Sequence, residues 1–553
     1  MIGVIADPQD IPVVREFFEL FKTPWEPCER EHRYDVLLCL GDGDFRVYEA
    51  PFVFVYSNQL LGNSPSHNDE AGKTKAIRVL QYKNEQLPLY CGGVTFARGD
   101  SALLADAVTH APAIEESQIA DRVVLRIGYD LIAEVRHLLT CGQPLEHAGI
   151  PTLDLHISLL RDLIRSTNLP FVEVPPVPAD YSFAACLTHD VDHPLMRNHK
   201  LDHTMLGFLY RATLGAIVDF AGGRTTFVNM LRNWVAAAKL PFMYLGLAAD
   251  PWSKFDHYSE IERDHPSTFF VIPFKNTPGR TDNPSALQKR GAAYGASDVA
   301  PQLGRLISDG CEVGLHGIDA WTDSTTGRKE LEEIKGVTGK AVPGVRMHWL
   351  FFDQESPSRL DLAGAKYDST VGYNETVGYR AGTHQVYKPL NVSELVELPL
   401  HIMDTALFYP SYLHLSPTHA GAKIRTIIDS AGKHGGCVTV NWHDRSIAPE
   451  RLWTATYVDL IEEMEKKGAW FATASQATSW FRKRRSIRFE RNANGTVEII
   501  LPGGVDEDLP SLVARTHTGT TLSRDVVLNN SVTSGNEYRC SVLEASAVGA
   551  VRN

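Results

Sequence analysis

The sequence has no excess of positive charge, no long apolar run and no closely spaced cysteine pair. Its 54 Lys and Arg residues stand against 67 Asp and Glu, which gives a formal charge of −13 at pH 7. This balance argues against a nucleic-acid partner and against a strongly anionic surface as the main target. A small polar or neutral substrate fits the balance better.

Signals for export and membrane insertion are also missing from the sequence. Residues 1–18 contain no basic region followed by an apolar one, so we expect no secretory signal. There is no run of eighteen apolar residues, and charges interrupt the most apolar stretch, 206–221, so we expect no transmembrane segment. The eight cysteines form no CxxC pair. Several of them, Cys39, Cys186 and Cys437, lie in apolar runs, as reduced cysteines of cytoplasmic proteins do. We therefore expect a cytoplasmic protein.

Composition divides the chain into three expected domains, 1–175, 176–485 and 486–553. The first alternates short β-like runs with helical stretches, which predicts a small α/β domain. Its GDGDF segment at Gly41 is too incomplete for a dinucleotide-binding loop. Repeated proline over 170–178 favours an extended connector and marks the first boundary.

The last domain is expected to be a small β-rich module. It is rich in Thr, Val, Asn and Gly, and Asn494-Gly495 is typical of a tight hairpin turn.

The central domain repeats one unit: a β-like run, a polar residue of chemical interest, and a helical or loop stretch. Eight such runs begin at residues 183, 267, 311, 341, 364, 395, 437 and 469. Helical stretches such as 300–309, 329–335 and 457–467 separate them. The alternation predicts a β/α barrel.

Residues that bind metals or move protons follow five of these runs: Asp190, Asp192, His316, Arg346, His348, Asp368 and His443. Side chains at i and i+2 of an extended segment point the same way, so Asp190 and Asp192 face one site. Two carboxylates that close repel unless a cation or a proton lies between them. Barrel enzymes build their sites at the carboxyl ends of strands, so these residues can converge although they are distant in sequence.

The order of the motifs resembles that of a known superfamily. THDVDH (188–193), STFFV (267–271), EVGLHG (312–317), GVRMHW (344–349), YDSTVGY (367–373) and NWHD (441–444) are similar to motifs of the polysaccharide deacetylases, carbohydrate esterase family four with the NodB-homology fold. They resemble most closely the bacterial branch with a THDVDH motif and a separate N-terminal domain. The resemblance covers about residues 180–480. It implies a distorted β/α barrel, a divalent metal that is usually zinc, and removal of an N-acyl group from an amino sugar.

The resemblance also implies a role for each matching residue. Asp190 corresponds to the catalytic base, Asp192 and His316 to metal ligands, Arg346 to the residue that orients the base, and His443 to the general acid. The residue types fit this chemistry, since an amide needs an activated carbonyl, an activated water and a proton for the departing amine.

Purely structural roles stay open for three of these residues. Arg346 could form a buried ion pair with Asp368, and His443 could be a structural histidine at a strand end whose hydrogen bonds are satisfied. Asp368 is a further catalytic candidate, but Ser369 and Thr370 beside it make a turn or helix-cap role equally reasonable.

The sequence departs from the family pattern at Ala320. The usual motif supplies two histidines four residues apart, whereas Ala320 stands at that distance from His316. Either a third metal ligand comes from elsewhere or the metal site is degraded. His348, two residues beyond Arg346 on the same strand face, is the first candidate for that ligand. Asp319 and His193 are the alternatives. His189 is expected to point away from the site.

We therefore expect a metal-dependent hydrolase, with zinc as its cofactor, that removes an acetyl or other acyl group from an amino sugar of a surface polysaccharide or its precursor. Two alternatives are an amidohydrolase of the same fold that cleaves a non-sugar C–N bond, and a carbohydrate-binding protein that has lost turnover. The apolar stretch 203–247 is either an interfacial or lid element or an ordinary pair of packed surface helices.

Overall fold

The structure is a computed structural model, and it divides into two compact units. It describes residues 1–41, 43–58, 77–99, 102–223, 225–250, 252, 255–263, 265–281, 290–448, 451, 453–492, 497–502, 508–519, 522–528 and 537–541. The first unit comprises Met1–Asp180, Ala381–Leu390 and Trp480–Asn553, and the second comprises Tyr181–Arg380 and Asn391–Ser479.

The strands are numbered in chain order. They are β1 (Ile2–Ala6), β2 (Trp25–Pro27), β3 (Val36–Leu40), β4 (Phe52–Tyr56), β5 (Ile77–Tyr82), β6 (Glu85–Gly93), β7 (Leu104–Asp106), β8 (Ile114–Ile119), β9 (Arg122–Ile127), β10 (Phe171–Glu173), β11 (Phe183–Val191), β12 (Ser267–Val271), β13 (Glu312–Gly317), β14 (Gly344–Met347), β15 (Tyr367–Asp368), β16 (Val396–Glu397), β17 (Ile402–Met403), β18 (Cys437–Asn441), β19 (Ala469–Phe471), β20 (Arg488–Arg491), β21 (Val497–Pro502), β22 (Leu512–Thr518), β23 (Leu522–Leu528) and β24 (Glu537–Ser541).

The helices are numbered in the same way. They are α1 (Ile11–Phe21), α2 (Leu131–Thr140), α3 (Thr152–Ser166), α4 (His203–Tyr210), α5 (Ala216–Ala221), α6 (Phe227–Tyr244), α7 (Tyr258–Glu262), α8 (Ala300–Ser308), α9 (Ser324–Thr338), α10 (Ser356–Ala363), α11 (Asp404–Phe408), α12 (Pro417–His434), α13 (Thr454–Lys466) and α14 (Ala474–Ser486). A π-helical segment, Arg211–Gly215, joins α4 to α5. Within the described ranges, no helix is both long enough and apolar enough to cross a membrane.

The first unit is built on a six-stranded sheet in the order β2-β1-β3-β4-β9-β8. All pairs are parallel except β8 with β9, so the predicted N-terminal α/β fold is confirmed. Helix α1 shows why the sequence folds this way locally. Pro12 lies in its first turn, its apolar side chains are buried, and the chain leaves it through Lys22 in the left-handed region at φ 40°.

The C-terminal strands form small antiparallel sheets, as the composition predicted. One sheet has the order β20-β21-β24, and in another β22 lies between β10 and β23. Asn494-Gly495 lies outside the described residues, but the flanking strands pair antiparallel, with Arg491 opposite Val497. Because β10 belongs to the predicted first domain, C-terminal residues share a sheet with it. The division at 175 and 485 stays a prediction.

The second unit contains the predicted barrel strands. All eight β-like runs form strands of one parallel sheet in the order β16-β15-β14-β13-β12-β11-β18-β17, with β19 also paired to β11. The ninth strand, β17, was not predicted. Only residues 398–401 separate β16 from β17, so the two edges of the sheet lie near each other and the sheet is strongly curled. The predicted distorted β/α barrel is confirmed.

Strand β11 lies inside this sheet, between β12 and β18, and all nine of its residues are buried. It pairs with β12 and β19 on one side and with β18 on the other. Complete burial is typical of a parallel strand that is covered on both faces. The carboxyl end of β11 therefore brings Asp190 into the centre of the unit.

Candidate active site and metal centre

The carboxyl ends of β11, β13, β14 and β18 bring the predicted site residues together. His316 on β13 is in register with Arg346 on β14, and the backbone N–H of Asp444, just after β18, donates to the carbonyl of Asp190. These contacts come from neighbouring parallel strands, whose ends meet at one edge of the sheet. Of the predicted residues, Asp190, Asp192, His316, Arg346, His348 and His443 converge there.

Asp192, His316 and His348 form a cluster suited to a metal ion. One ligand atom from each lies within 4.8 Å of the others. Oδ1 of Asp192 is 3.3 Å from Nε2 of His316 and 3.6 Å from Nε2 of His348. Ligand atoms around a tetrahedral zinc at about 2.1 Å lie about 3.4 Å from one another, so the spacing fits such an ion.

The hydrogen bonds of the cluster also fit a cation. Oδ1 of Asp192 is buried and accepts no hydrogen bond from the part of the chain that the structure describes. Nδ1 of His316 lies 2.9 Å from the carbonyl of Arg346, which only accepts, so this nitrogen must carry the proton. In the neutral ring, Nε2 then presents its lone pair to the site. Burial lowers the pKa of His316, but Asp190 and Asp192 outweigh it and raise the pKa, so a metal that binds there would displace a proton from this nitrogen. A buried carboxylate oxygen without a donor and an imidazole with a fixed tautomer are what a divalent metal requires.

His348 is suited to ligation for an electrostatic reason. Burial lowers the pKa of His348 to about 3, although Asp192 opposes this shift. The imidazole is therefore neutral at physiological pH, and only the neutral form binds metals. The backbone turns sharply after it, since Trp349 and Leu350 adopt left-handed conformations with φ of 64° and 54°. Two such residues in succession are strained, and strain of this kind is concentrated at functional sites.

Asp190 is held by two donors and faces the cluster. Nη1 of Arg346 donates to Oδ1 at 3.0 Å, and Nδ2 of Asn441 donates to Oδ2 at 2.7 Å. Burial favours the neutral carboxyl, but His316, Arg346 and His443 outweigh it and hold the pKa of Asp190 below its ordinary value. The carboxylate is therefore ionised near neutrality and can accept a proton.

Arg346 is fixed on every side. Its Nε donates to the carbonyl of Ser369 at 3.0 Å, and its Nη2 donates to the hydroxyl of the same residue at 2.9 Å. Its guanidinium also lies over the ring of Phe270, 4.5 Å from the centroid. The side chain pairs with Asp190 and not with Asp368, which was the structural alternative.

His443 forms an ion pair with Asp404, a residue that the sequence did not suggest. Nδ1 of His443 lies 2.6 Å from Oδ1 of Asp404, and the backbone N–H of His443 donates to Oδ2 at 2.7 Å. Burial lowers the pKa of His443, but Asp404, with Asp192 and Asp190, outweighs it and raises the pKa to about 10. The imidazole is therefore protonated at neutral pH, with Nε2 3.8 Å from Oδ2 of Asp192.

The open side of the site carries Asp192 and His443. Their side chains keep 15 % and 16 % of their surface exposed, whereas Asp190 keeps 5 %. A protonated imidazole and one carboxylate of the cluster are thus accessible to a substrate, whereas the carboxylate of Asp190 is more deeply buried.

Asp368 is placed differently from the other predicted residues. Its carboxylate accepts a hydrogen bond from the hydroxyl of Thr370. It is in register with Glu397 on the adjacent strand, so two buried carboxylates lie side by side. Burial raises the pKa of Asp368 to about 6. These contacts match the turn role that was left open, and its catalytic role stays a prediction.

The alternative ligands have other partners. Asp319 accepts from the backbone N–H of Arg280 at 2.7 Å. Nδ1 of His193 lies 3.3 Å from Nε2 of His199. His189 points away, as predicted, with Nε2 2.7 Å from Oε1 of Glu262.

Sequence reasoning missed Asn441 and Asp404. Asn441 belongs to the NWHD motif, but a neutral amide does not suggest catalysis by itself. Asp404 directly follows β17, a strand of two residues whose signal merges with the preceding apolar run. An Asp after an apolar run was the only available sign, and it was the same sign that identified Asp190.

No family model and no curated protein sequence matches the chain. Solved structures do. They include two proteins assigned to the polysaccharide deacetylases, from Mycobacterium smegmatis (19% identity over 56% of this chain and 95% of that one, TM-score 0.33) and Pseudomonas aeruginosa PAO1 (13% identity over 56% and 94%, TM-score 0.34). A peptidoglycan deacetylase from Bacillus subtilis has 13% identity over 56% and 94%, with a TM-score of 0.23. These are structures to which the chain is similar, and all three are named as deacetylases.

Proposed function

We propose that the protein is a divalent-metal-dependent deacetylase that removes an acetyl group from an amino sugar of a surface polysaccharide or its precursor. The observation that carries the proposal is the position of the Asp192, His316 and His348 cluster between the Asp190–Arg346 pair and the His443–Asp404 pair. A metal site flanked by an ionised carboxylate and a protonated imidazole has the groups that amide hydrolysis needs. Seven of the eight cysteines have side chains that the structure describes, and these seven are free, which fits a reducing, cytoplasmic compartment.

Three residues would hold the metal, and Asp190 would act as the base. When bound, a divalent cation would polarise the amide carbonyl and lower the pKa of a water molecule. Asp190 would take the proton of the attacking water. The hydrogen bonds from Arg346 and Asn441 orient its carboxylate and stabilise the ionised form before the reaction.

His443 would act as the acid. An amine is too basic to leave as an anion, so it must be protonated as the C–N bond breaks. Nε2 of His443 faces the cluster, and Asp404 stabilises the imidazolium through Nδ1. Asp404 would therefore set both the tautomer and the charge of the donor.

The first test combines metal analysis with acetate release. The purified protein is expected to contain about one equivalent of zinc or a similar ion, measured by mass spectrometry of the metals, because catalytic sites of this type hold a single ion with three protein ligands. It is expected to release acetate from at least one member of a panel of N-acetylated sugars. Asp190→Asn should abolish release while the metal stays bound, and Asp319→Asn, outside the cluster, serves as the matched control.

Two results would contradict the proposal. A metal-free protein that binds sugars without releasing acetate would be a carbohydrate-binding protein. Release of product from non-sugar amides alone would indicate an amidohydrolase with another substrate.

A further inference from the structure

The second unit carries a helical hairpin, residues 203–247, with an unusually apolar outer surface. One arm is the continuous helix of α4, the π-helical segment and α5, and the other arm is α6. The exposed large apolar side chains of the hairpin are Leu206, Tyr210, Leu214, Ile217, Val218, Phe220, Phe227, Val228, Leu231, Trp234, Val235, Phe242, Leu245 and Leu247. A patch of this kind marks an interaction surface, since soluble monomers rarely expose large contiguous apolar areas.

The exposed side chains form stripes along both arms. On the first arm, Leu206, Tyr210 and Leu214 follow one another at intervals of four residues, and on α6 Phe227, Leu231 and Trp234 follow at intervals of four and three. Such spacing places each set on one face of its helix. The outward surface is thus organised as two apolar stripes.

The inner face of the hairpin already has its partners. Met205, Phe208, Leu240 and Met243 are buried in a cluster that includes Met196, Trp252 and Ala448 of the same unit. The outer stripes are therefore not needed to attach the hairpin to the barrel. Their exposure leaves them available to a partner outside the fold.

The charge of the hairpin differs from that of the whole chain. Residues 203–247 contain four basic residues and a single acidic one, Asp219, whereas the chain as a whole is strongly acidic. Arg232 and Lys239 are exposed on α6 and alternate with exposed Val228 and Val235 at intervals of three and four residues. Cations beside an apolar stripe can extend their ammonium and guanidinium groups away from it.

We propose that this hairpin docks on the surface of an anionic lipid bilayer. The apolar stripes, with Trp234, Tyr210 and three phenylalanines among them, would enter the boundary between headgroups and acyl chains. The flanking cations would pair with acidic headgroups. A second copy of the chain fits less well, because its hairpin would bring the same positive charge to the contact. The net negative charge of the whole chain argues against binding to an anionic surface, but the positive charge of the hairpin favours it.

The position of the hairpin in the chain determines which edge of the sheet would face the membrane. It follows β11 at the carboxyl edge of the sheet, and β11 ends beside Asp190 and Asp192. A docked protein would hold this edge towards the membrane. The proposal itself does not depend on what reaction occurs there, and its test needs no turnover.

The test is sedimentation of the full-length protein with vesicles of phosphatidylcholine alone or of phosphatidylcholine mixed with phosphatidylglycerol. We expect binding to the mixed vesicles that weakens as salt is raised. Phe227→Ser combined with Trp234→Ser should lower the partition coefficient by about tenfold or more, because both side chains lose their burial in the interface. Arg232→Glu combined with Lys239→Glu should lower it by at least about fivefold for each charge, on mixed vesicles only.

Matched controls lie elsewhere on the same unit. Leu362→Ser removes an apolar side chain that is 68% exposed outside the hairpin, and Lys335→Glu reverses an exposed charge on α9. Both should bind as the unaltered protein does, and circular dichroism with thermal melting verifies that every variant is folded. The proposal is overturned if the unaltered protein stays in the supernatant with both vesicles, or if the hairpin variants sediment as the controls do. It is also overturned if analytical ultracentrifugation shows a dimer that Trp234→Ser dissociates while lipid binding is absent.

Discussion

Replacing Arg346 by methionine should destabilise the second unit by leaving the carboxylate of Asp190 without its guanidinium partner. Arg346 is completely buried and donates to Asp190 at 3.0 Å. The two hydroxyls that accept from Arg346 lose less, because that of Thr188 also donates to the carbonyl of Val440 at 2.6 Å and that of Ser369 to the carbonyl of Leu398 at 2.8 Å. Methionine fills much of the same volume, so the main cost is an uncompensated buried charge.

The size of the effect follows from the surroundings of Asp190. Breaking a buried pair by removing one partner costs about 3–5 kcal/mol. The lower end applies here, because Asn441 still donates to Asp190 and Nε2 of His316 lies 3.8 Å from its Oδ2. For a unit of this size each 1 kcal/mol shifts Tm by about 2 °C, so a fall of about 6 °C is expected.

The assay is thermal melting of metal-free protein, followed by fluorescence or calorimetry. Arg328→Met, which removes an exposed guanidinium that donates to the carbonyl of Leu362 at 3.0 Å, is the control and should leave Tm unchanged. In the double variant Asp190→Asn and Arg346→Met no buried charge is unpaired, so about half or more of the lost Tm should return. Recovery with Asp368→Asn in place of Asp190→Asn would refute the reasoning, since it would make Asp368 the partner of Arg346. A single variant that melts as the unaltered protein does would refute it as well.

Four further predictions concern the metal, the acid and the first unit. His348→Ala should lose metal and activity together, whereas Asp319→Ala should retain both, and metal analysis of the two proteins decides whether His348 is the third ligand. His443→Ala should lower kcat by roughly a hundredfold without loss of metal. Because Asp404 raises the pKa of His443 against the effect of burial, Asp404→Asn should move the alkaline limb of the pH–kcat profile to lower pH, and an unmoved limb would contradict the pairing. Burial lowers the pKa of His156 to about 3, so below pH 6.5 this residue binds a proton in the unfolded chain and not in the folded one, and its own contribution to stability should fall by about 2 kcal/mol as pH is lowered from 6.5 to 5. His156→Gln should reduce this dependence in melts recorded at the two pH values.

The sequence predicted the barrel strands well because each long apolar run ends in a polar residue. Complete burial of β11 produces a continuous apolar run, and its end at Asp190 is abrupt. Strand β17 could not be predicted in the same way. It has two residues, and its pairing with β18 is decided by the closure of the sheet and not by local preference.

A site residue could be predicted where its side chain suits metal binding and it stands at the end of a strand. It could not be predicted where its role depends on a contact with a residue distant in sequence. Asp192, His316 and His348 carry metal-binding groups at strand ends, and the structure brings them together. Asn441 and Asp404 act on other side chains through hydrogen bonds that span 251 and 39 residues of sequence. No pattern in one sequence specifies such pairs.

His316 and His348 belong to different strands, so the geometry of the cluster depends on how those two strands pair. When both histidine ligands follow one strand, a single loop determines the metal geometry. Here His316 lies on β13 and His348 follows β14, and Nδ1 of His316 donates to the carbonyl of Arg346, two residues before His348. The metal cluster and the residue that orients Asp190 are therefore fixed by the register of one pair of strands. A shift of β14 along β13 would disturb ligation and base orientation together, so variants in this strand pair should lose metal and activity in parallel.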